Sequence, residues 1–421
     1  MNKVKKNRWL IALSAIAIHL SIGSVYAYSV FKKPLEEMFG WTSTEVTLSF
    51  TIAIFFLGMS AATMGRFVEK WGPRKSATIA AIFFSIGTAG TGVAVELGSL
   101  PLYYLTYGVL GGIGLGIGYI APVSTLVKWF PDKRGLATGM AVMGFGAGSI
   151  ITSPVATKLM EVFDLSTTFF ILGASFFILM ISGALYIVRP PEGYMPEGMK
   201  KQVTQESKTK RTDLAQLTLI EAVKTGRFYL LWVMIFINIS AGIMLISVAS
   251  PIAQERAGMS VTQAATVVAV MGLFNGLGRL GWSSFSDLIG RENMFLTFFA
   301  VQLVLFFLLP HVTNAIIFQL FMYLIVSMYG GGFSCLPAFI GDIFGTKQLG
   351  AIHGAILTAW SCAGIFGPML VSAILDATNS YNMTFYVFGV LHIIALITSL
   401  SMKWNINKIR SAQAEIDPDV A

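Results

Sequence analysis

Apolar residues run through this chain in long blocks, and polar residues gather in the intervals between them. Twelve blocks are readable, at roughly 9–31, 46–66, 76–96, 101–127, 137–160, 166–188, 228–250, 262–285, 293–310, 315–341, 350–375 and 381–403. Each is close to the ~20 residues that an α-helix needs to cross a hydrocarbon core of about 30 Å. Inside lipid such a block satisfies its backbone polar groups by coiling into a helix. The pattern therefore predicts an all-α membrane protein with twelve transmembrane helices.

One interval is much longer than the rest. Residues 189–227 open with Pro190, Pro191 and Pro196 and continue as a mixed-charge polar stretch through Thr212. This segment divides the blocks six and six. The expected organisation is an N-terminal six-helix bundle (1–188), a cytoplasmic linker (189–227), a C-terminal six-helix bundle (228–404) and a cytoplasmic tail (405–421). Within the linker, an amphipathic helix around Leu214–Val223 is expected to lie on the membrane surface.

Composition sharpens this picture. Of the 421 residues 55% are hydrophobic and 12% charged, about half the charged fraction of a soluble chain. The formal charge of +8 would suggest a nucleic-acid partner in a soluble protein. Here the positives follow the loops of one side. With both termini cytoplasmic, only Lys32, Lys33, Lys158 and Arg256 fall on the other face, and Arg279 belongs to neither. That is the positive-inside rule, so the basic excess reports topology and no nucleic-acid partner is expected. The amino-terminal apolar run is too long for a signal segment and reads as a retained first span. Cys335 and Cys362 both fall inside spans and read as small apolar core residues. The four histidines show no ligand spacing, so neither a metal nor a cofactor is expected. No nucleophile–base pair is visible, and an enzyme is not expected.

The two halves repeat each other. PVSTLVKWFPDKRGLATG at 122–139 matches PAFIGDIFGTKQLGAIHG at 337–354, with Pro122, Gly135 and Gly139 spaced as Pro337, Gly350 and Gly354. GRFVEKWGPRK at 65–75 has a shorter echo in SDLIGR at 286–291. Repeated six-span halves are the mark of transporters whose halves rock about a central site, so the bundles are expected to be pseudo-symmetric. The Gly-rich run GVLGGIGLGIG at 108–118 lies inside a span with no preceding strand, which reads as close helix packing and not as a nucleotide loop.

GRFVEKWGPRK resembles the loop 2–3 signature of the major facilitator superfamily, with Glu69 where aspartate is usual. The resemblance covers the chain from Arg8 to about Trp404. GSVYAYSVFKKPL at 23–35, KWFPDKRGLATG at 128–139 and NGLGR at 275–279 resemble the oxalate/formate antiporter family, a sister group of the monocarboxylate transporters. The superfamily motif implies a cytoplasmic gate built from Gly65, Glu69, Gly72, Arg74, Lys75, Asp287 and Arg291. The resemblance also points to a multi-pass protein of a bacterial cytoplasmic membrane.

Arg279 carries the chemistry. A charged side chain in a span costs about 2.5–3.5 kcal/mol on insertion scales. All 21 acidic residues lie in loops, linker, tails or span ends, and Asp287 is about 12 Å further along the helix axis. The expected counter-charge is therefore an anion from solution, for which a guanidinium offers bidentate geometry. Tyr119 and Tyr329, in corresponding glycine- and proline-interrupted spans, are expected at matched depth as phenol donors. Trp360 and Phe145 would shape apolar walls. The resemblance adds Tyr28, whose counterpart lines the anion site.

Two departures from the family matter. The oxalate-type lysine three residues after the span-11 tryptophan is replaced here by Ala363, and one buried cation favours a monoanion. The aspartate of animal monocarboxylate transporters is Asn275 here, which places proton symport through that carboxylate in doubt. His19, His353 and His392 are the side chains in the spans that titrate near neutral pH. The reading is a secondary transporter of a small monocarboxylate of lactate, pyruvate or formate size, coupled to a proton or a counter-anion. Oxalate or dicarboxylate exchange with formate, and a transporter-like carboxylate sensor, are the alternatives.

Overall fold

The computed structural model describes residues 6–196, 213–259 and 261–416, and among them the regular elements are helical. Helix α1 (Arg8–Ile22) runs through a 3₁₀ turn (Gly23–Ala27) into α2 (Tyr28–Phe39). Next come α3 (Ser43–Trp71) and α4 (Pro73–Glu96). Helix α5 (Leu100–Tyr103) passes through a π-helical segment (Tyr104–Leu110) into α6 (Gly111–Trp129), and α7 (Arg134–Val162) and α8 (Leu165–Tyr186) follow. After the linker come α9 (Leu219–Val223), α10 (Gly226–Ala257), α11 (Val261–Ile289), α12 (Arg291–Leu308) and α13 (Ala315–Phe344). The chain ends with α14 (Leu349–Ile356), α15 (Thr358–Thr378) and α16 (Tyr381–Ile416).

Eleven helical stretches among the described residues are long and apolar enough to cross a bilayer. Helix α11, 29 residues long, stands where the remaining run was expected. The all-α, twelve-helix membrane architecture is thus present.

The helix ends follow local chemistry. Thr42 and Glu45 form a reciprocal capping box at the start of α3: the Thr42 hydroxyl accepts from the Glu45 amide at 3.2 Å, and the Glu45 carboxylate accepts from the Thr42 amide at 2.8 Å. Gly72, at φ 84°, ends α3, and Pro73 opens α4. Gly290, at φ 90°, makes the same sharp turn between α11 and α12. A side chain at either position would be strained, which explains why both members of the loop repeat keep glycine.

The chain divides into two compact units: Met1–Met195 with Gln348–Ser361, and Pro196–Lys347 with Cys362–Ala421. The segment holding α14 and the start of α15 therefore packs with the first unit, although it follows the linker in the chain. In the first unit, the Gly-rich run is a packing surface on α6. A Cβ on Gly112 would stand 2.6 Å from the Ala53 carbonyl, and one on Gly116 would stand 2.2 Å from that of Leu57. On another face, a Cβ on Gly114 would be 2.5 Å from the Phe84 amide of α4. Side chains here would force α3 and α4 away from α6.

Two local expectations change. The stretch Leu214–Val223 is helical only over Leu219–Val223. The preceding residues form a strap in the second unit: the Leu214 and Leu217 amides donate to the carbonyls of Asp342 and Phe344, each at 2.8 Å. Those bonds hold residues 214–217 against the end of α13, and the helix starts only after Thr218, whose side chain caps it. Residues 197–212 of the linker lie outside the described residues. Cys335 is buried as expected, whereas Cys362 is exposed and is not a core residue. The helix of the last span also continues to Ile416, through most of the expected tail.

Candidate functional site

In the second unit, α11 carries Arg279 near the middle of its length, with 1% of its surface exposed. Its Nε donates to Asn275 Oδ1, one turn earlier, at 2.8 Å. Its guanidinium carbon lies 5.5 Å from the centre of the Phe333 ring on α13, a cation–π arrangement. Asn275 and Phe333 are both neutral, so these two contacts orient the guanidinium.

Glycines bring α11 and α13 together on either side of the arginine. A Cβ on Gly278 would lie 2.1 Å from the Ser327 carbonyl, and one on Gly330 would lie 2.4 Å from the Asn275 carbonyl and 3.2 Å from Arg279 Cγ. Tyr329, adjacent to Gly330, packs its ring on Phe333 at 5.4 Å. Gly242 of α10 abuts that tyrosine ring: a Cβ there would sit 2.2 Å from it. Asn238, buried on α10, donates to the Tyr329 carbonyl at 3.3 Å and accepts from Gln302 of α12 at 3.3 Å. Arg279, Asn275 and Tyr329 are thus brought into one region, together with Phe333, Asn238 and Gln302, which the sequence reading did not single out. Asn238 and Gln302 carried a signal: uncharged polar side chains deep in apolar runs.

In the first unit, Tyr119, Phe145 and Trp360 meet. The Tyr119 ring is 5.6 Å from Phe145 and 5.7 Å from Trp360, and Phe145 is 5.9 Å from Trp360. His19 stacks on Tyr119 at 5.2 Å, and its Nε2 is 3.2 Å from the Tyr119 carbonyl oxygen. His353 lies 5.7 Å from the same tyrosine ring. Tyr28 stands in a separate aromatic group, 5.2 Å from Phe50 and 5.9 Å from Tyr107.

The expected matched depth of the two tyrosines does not hold. Tyr119 precedes the repeated proline Pro122 by three residues, and Tyr329 precedes Pro337 by eight. The difference of five residues is about 7.5 Å along a helix axis. The tyrosines are therefore not counterparts in the repeat.

The motif residues are joined within each unit. Glu69, at the end of α3, accepts from Lys128 Nζ through Oε2 at 2.8 Å and from the Gly350 amide through Oε1 at 2.8 Å. Gly350 lies in the first turn of α14, where an anion is favoured by the helix dipole and its unsatisfied amides. A Cβ on Gly65 would lie 2.7 Å from Ala351 Cα, so α3 and α14 touch backbone to backbone. Arg74 and Lys75 are exposed in the first turn of α4. In the second unit, Arg291 pairs with Asp287 and, at 3.4 Å, with Asp342.

The chain is similar to known proteins along most of its length. The chain is 28% identical over 393 residues to the oxalate:formate antiporter of Oxalobacter formigenes, covering 92% of this chain and 90% of that protein. It is 24% identical over 411 residues to apicoplast pyruvate carrier 1 of Toxoplasma gondii, covering 84% and 73%. Among solved structures, the proton:xylose symporter XylE superposes with a TM-score of 0.72 at 17% identity, covering 94% of this chain and 95% of that one. The family model described as Major Facilitator Superfamily matches residues 14–368. This chain belongs to the Major Facilitator Superfamily.

Proposed function

We propose that this superfamily transporter is a secondary carrier of a small monocarboxylate, of lactate, pyruvate or formate size, working by alternating access. The observation that carries the reading is the buried charge of Arg279, held in orientation by the neutral Asn275 and Phe333. A carboxylate brought to about 4 Å of that guanidinium gains roughly 4 kcal/mol at an effective dielectric near 20. Tyr329 in the second unit, and Tyr119 and Tyr28 in the first, supply phenol donors. Phe145 and Trp360 supply apolar surface. Glu69 with Lys128, and Arg291 with Asp287, are gate bonds made in one state of the cycle, with Gly65 and Gly72 allowing the approach and Arg74 and Lys75 completing the motif. The carrier sits in the cell membrane with both termini cytoplasmic and is coupled to a proton or a counter-anion. Relatives that include an oxalate:formate antiporter and a pyruvate carrier support an organic-anion cargo.

The oxalate:formate relative also favours a second reading, exchange of a dianion. Against it, the position of the family's second cation is occupied by buried Ala363. Counterflow of labelled formate, lactate, pyruvate and oxalate in proteoliposomes separates the readings. Exchange of monocarboxylates with oxalate excluded is the expected result. Preferred exchange of oxalate would overturn the monoanion assignment, and absence of any flux would overturn the carrier reading.

A further inference from the structure

His353 is a buried ionisable side chain to which the carrier reading gives no role. It lies on α14, fully buried, and both ring nitrogens are without a hydrogen-bond partner among the described residues. Such a group costs stability that an apolar residue of similar size would not.

Its seat is a tight seam. A Cβ on Gly58 of α3 would come within 1.9 Å of the Ser361 hydroxyl, and a Cβ on Gly354 would come within 1.9 Å of the Ala61 carbonyl. Ser361 donates to the Phe55 carbonyl at 3.2 Å, and Glu69 holds the Gly350 amide at the other end. Segment 349–361 is therefore laid on α3 with backbone nearly touching backbone, and His353, carried on that segment, is fully buried while it is seated.

The titratable groups facing His353 are Tyr119 of α6 and His19 of α1. The other charged groups on the elements around it stand towards helix ends. Arg8 pairs with Asp132, Lys128 with Glu69, and Glu45 belongs to its capping box, while Arg66 and Lys70 are exposed. An imidazolium formed in this seat would face the Tyr119 and His19 rings and, among the described residues, no carboxylate within ion-pair distance. In water the same imidazolium is ordinary.

We propose that His353 is a proton-binding group that couples pH to the seating of segment 349–361 on α3: neutral while the segment is seated, protonated once it lifts. Proton uptake then favours the lifted arrangement. The proton comes from the aqueous face to which the lifted segment is open and is released to the opposite face once the segment reseats, so that each cycle carries it across the membrane. This deepens the carrier reading by naming the proton as coupling partner, and rests on that reading only for its transport readout. It also assigns to an imidazole the task that Asn275 cannot perform.

The test uses full-length protein in proteoliposomes, with Cys335 and Cys362 changed to serine and Ala62→Cys placed beside the Gly354 crossing. Maleimide labelling at Ala62→Cys is followed from about pH 8 to pH 5.5 and divided at each pH by the rate for the same thiol in denatured protein. With one proton linked to lifting, the ratio rises below the usual imidazole midpoint of about 6.5, by up to about tenfold per pH unit. His353→Gln is expected to flatten that rise and to abolish uptake driven by a pH gradient while leaving counterflow. His392→Gln, in the second unit, is expected to leave the rise intact. A flat profile without substitution, or an undiminished rise in His353→Gln, overturns the proposal. If His353→Gln does not fold, His353→Asn takes its place under the same criteria. If no carboxylate moves at all, the carrier reading fails, while the labelling profile still decides the role of His353.

Discussion

At the residue scale, Arg279 was legible because a guanidinium is rare in an apolar run and every carboxylate lies in a loop or near a helix end. Its neighbours were less so: Phe333 is one of 32 phenylalanines, and nothing in the run says which one faces the arginine. The buried charge gives Asn275→Asp a definite expected effect. A carboxylate in place of the amide, 2.8 Å from Arg279 Nε, forms an internal ion pair and competes with the cargo. Affinity for a monocarboxylate is expected to fall by at least about tenfold, or 1.4 kcal/mol, in a binding titration at pH 7.5. Unchanged affinity would mean that the cargo does not use this charge. The packing role of the Gly-rich run predicts a contrast within one helix. Gly116→Ala places a methyl 2.2 Å from the Leu57 carbonyl and is expected to destabilise by about 1–3 kcal/mol. Gly118→Ala meets the Ile22 side chain at 3.2 Å, which shifts more easily, and should cost less. Thermal unfolding in detergent ranks the two.

At the element scale, the twelve runs became helices because length and hydropathy decide spanning segments before any tertiary contact is considered. What the pattern could not show was where a helix bonds outside itself. The pattern makes Leu214–Leu217 part of an amphipathic helix, but the Leu214 and Leu217 amides donate to the Asp342 and Phe344 carbonyls more than a hundred residues away. Helix starts show pH sensitivity with a definite sign. Asp164 caps α8, and the Thr167 amide holds its carboxyl below the usual carboxylate range. The cap bond is therefore complete above about pH 4 and is lost as pH falls through the lowered value. Amide exchange in the first turn of α8, compared between about pH 5 and pH 3 after correction for intrinsic rates, should rise only at the lower pH; Asp164→Ala should remove that dependence. Glu69 links α3, α6 and α14 through a carboxylate. Glu69→Gln replaces charge-assisted bonds, worth roughly 1.5–3 kcal/mol each, with neutral ones. Turnover is expected to change at least several-fold while the order of preference among carboxylates stays the same. A reordered preference would place Glu69 in the binding site.

At the scale of the whole molecule, six-plus-six organisation was legible from the single long hydrophilic interval and from the repeat anchored at Pro122 and Pro337. The assignment of residues 348–361 to the first compact unit was not. It depends on Gly58, Ala61, Gly65 and Gly354 meeting across the seam, a tertiary fit that hydropathy does not encode. For the same reason His353 read as one of several lone histidines until its surroundings were visible. In the second unit the loop that leads to this segment is held by the linker strap: Gln216 Oε1 accepts from the amides of Thr346 and Lys347 at 3.1 and 3.2 Å.

The central claim is that the buried charge of Arg279 exists for a carboxylate, and calorimetric titration of purified protein tests it most directly. Formate, lactate, pyruvate and oxalate are titrated into the unaltered chain, Arg279→Lys and Arg279→Gln, each first shown to unfold cooperatively. The account predicts a monocarboxylate that binds the unaltered protein, binds Arg279→Lys at least about tenfold more weakly because the bidentate fork is gone, and does not measurably bind Arg279→Gln. Folded Arg279→Gln that binds the same anion with unchanged affinity would contradict it, and would make the arginine a structural charge.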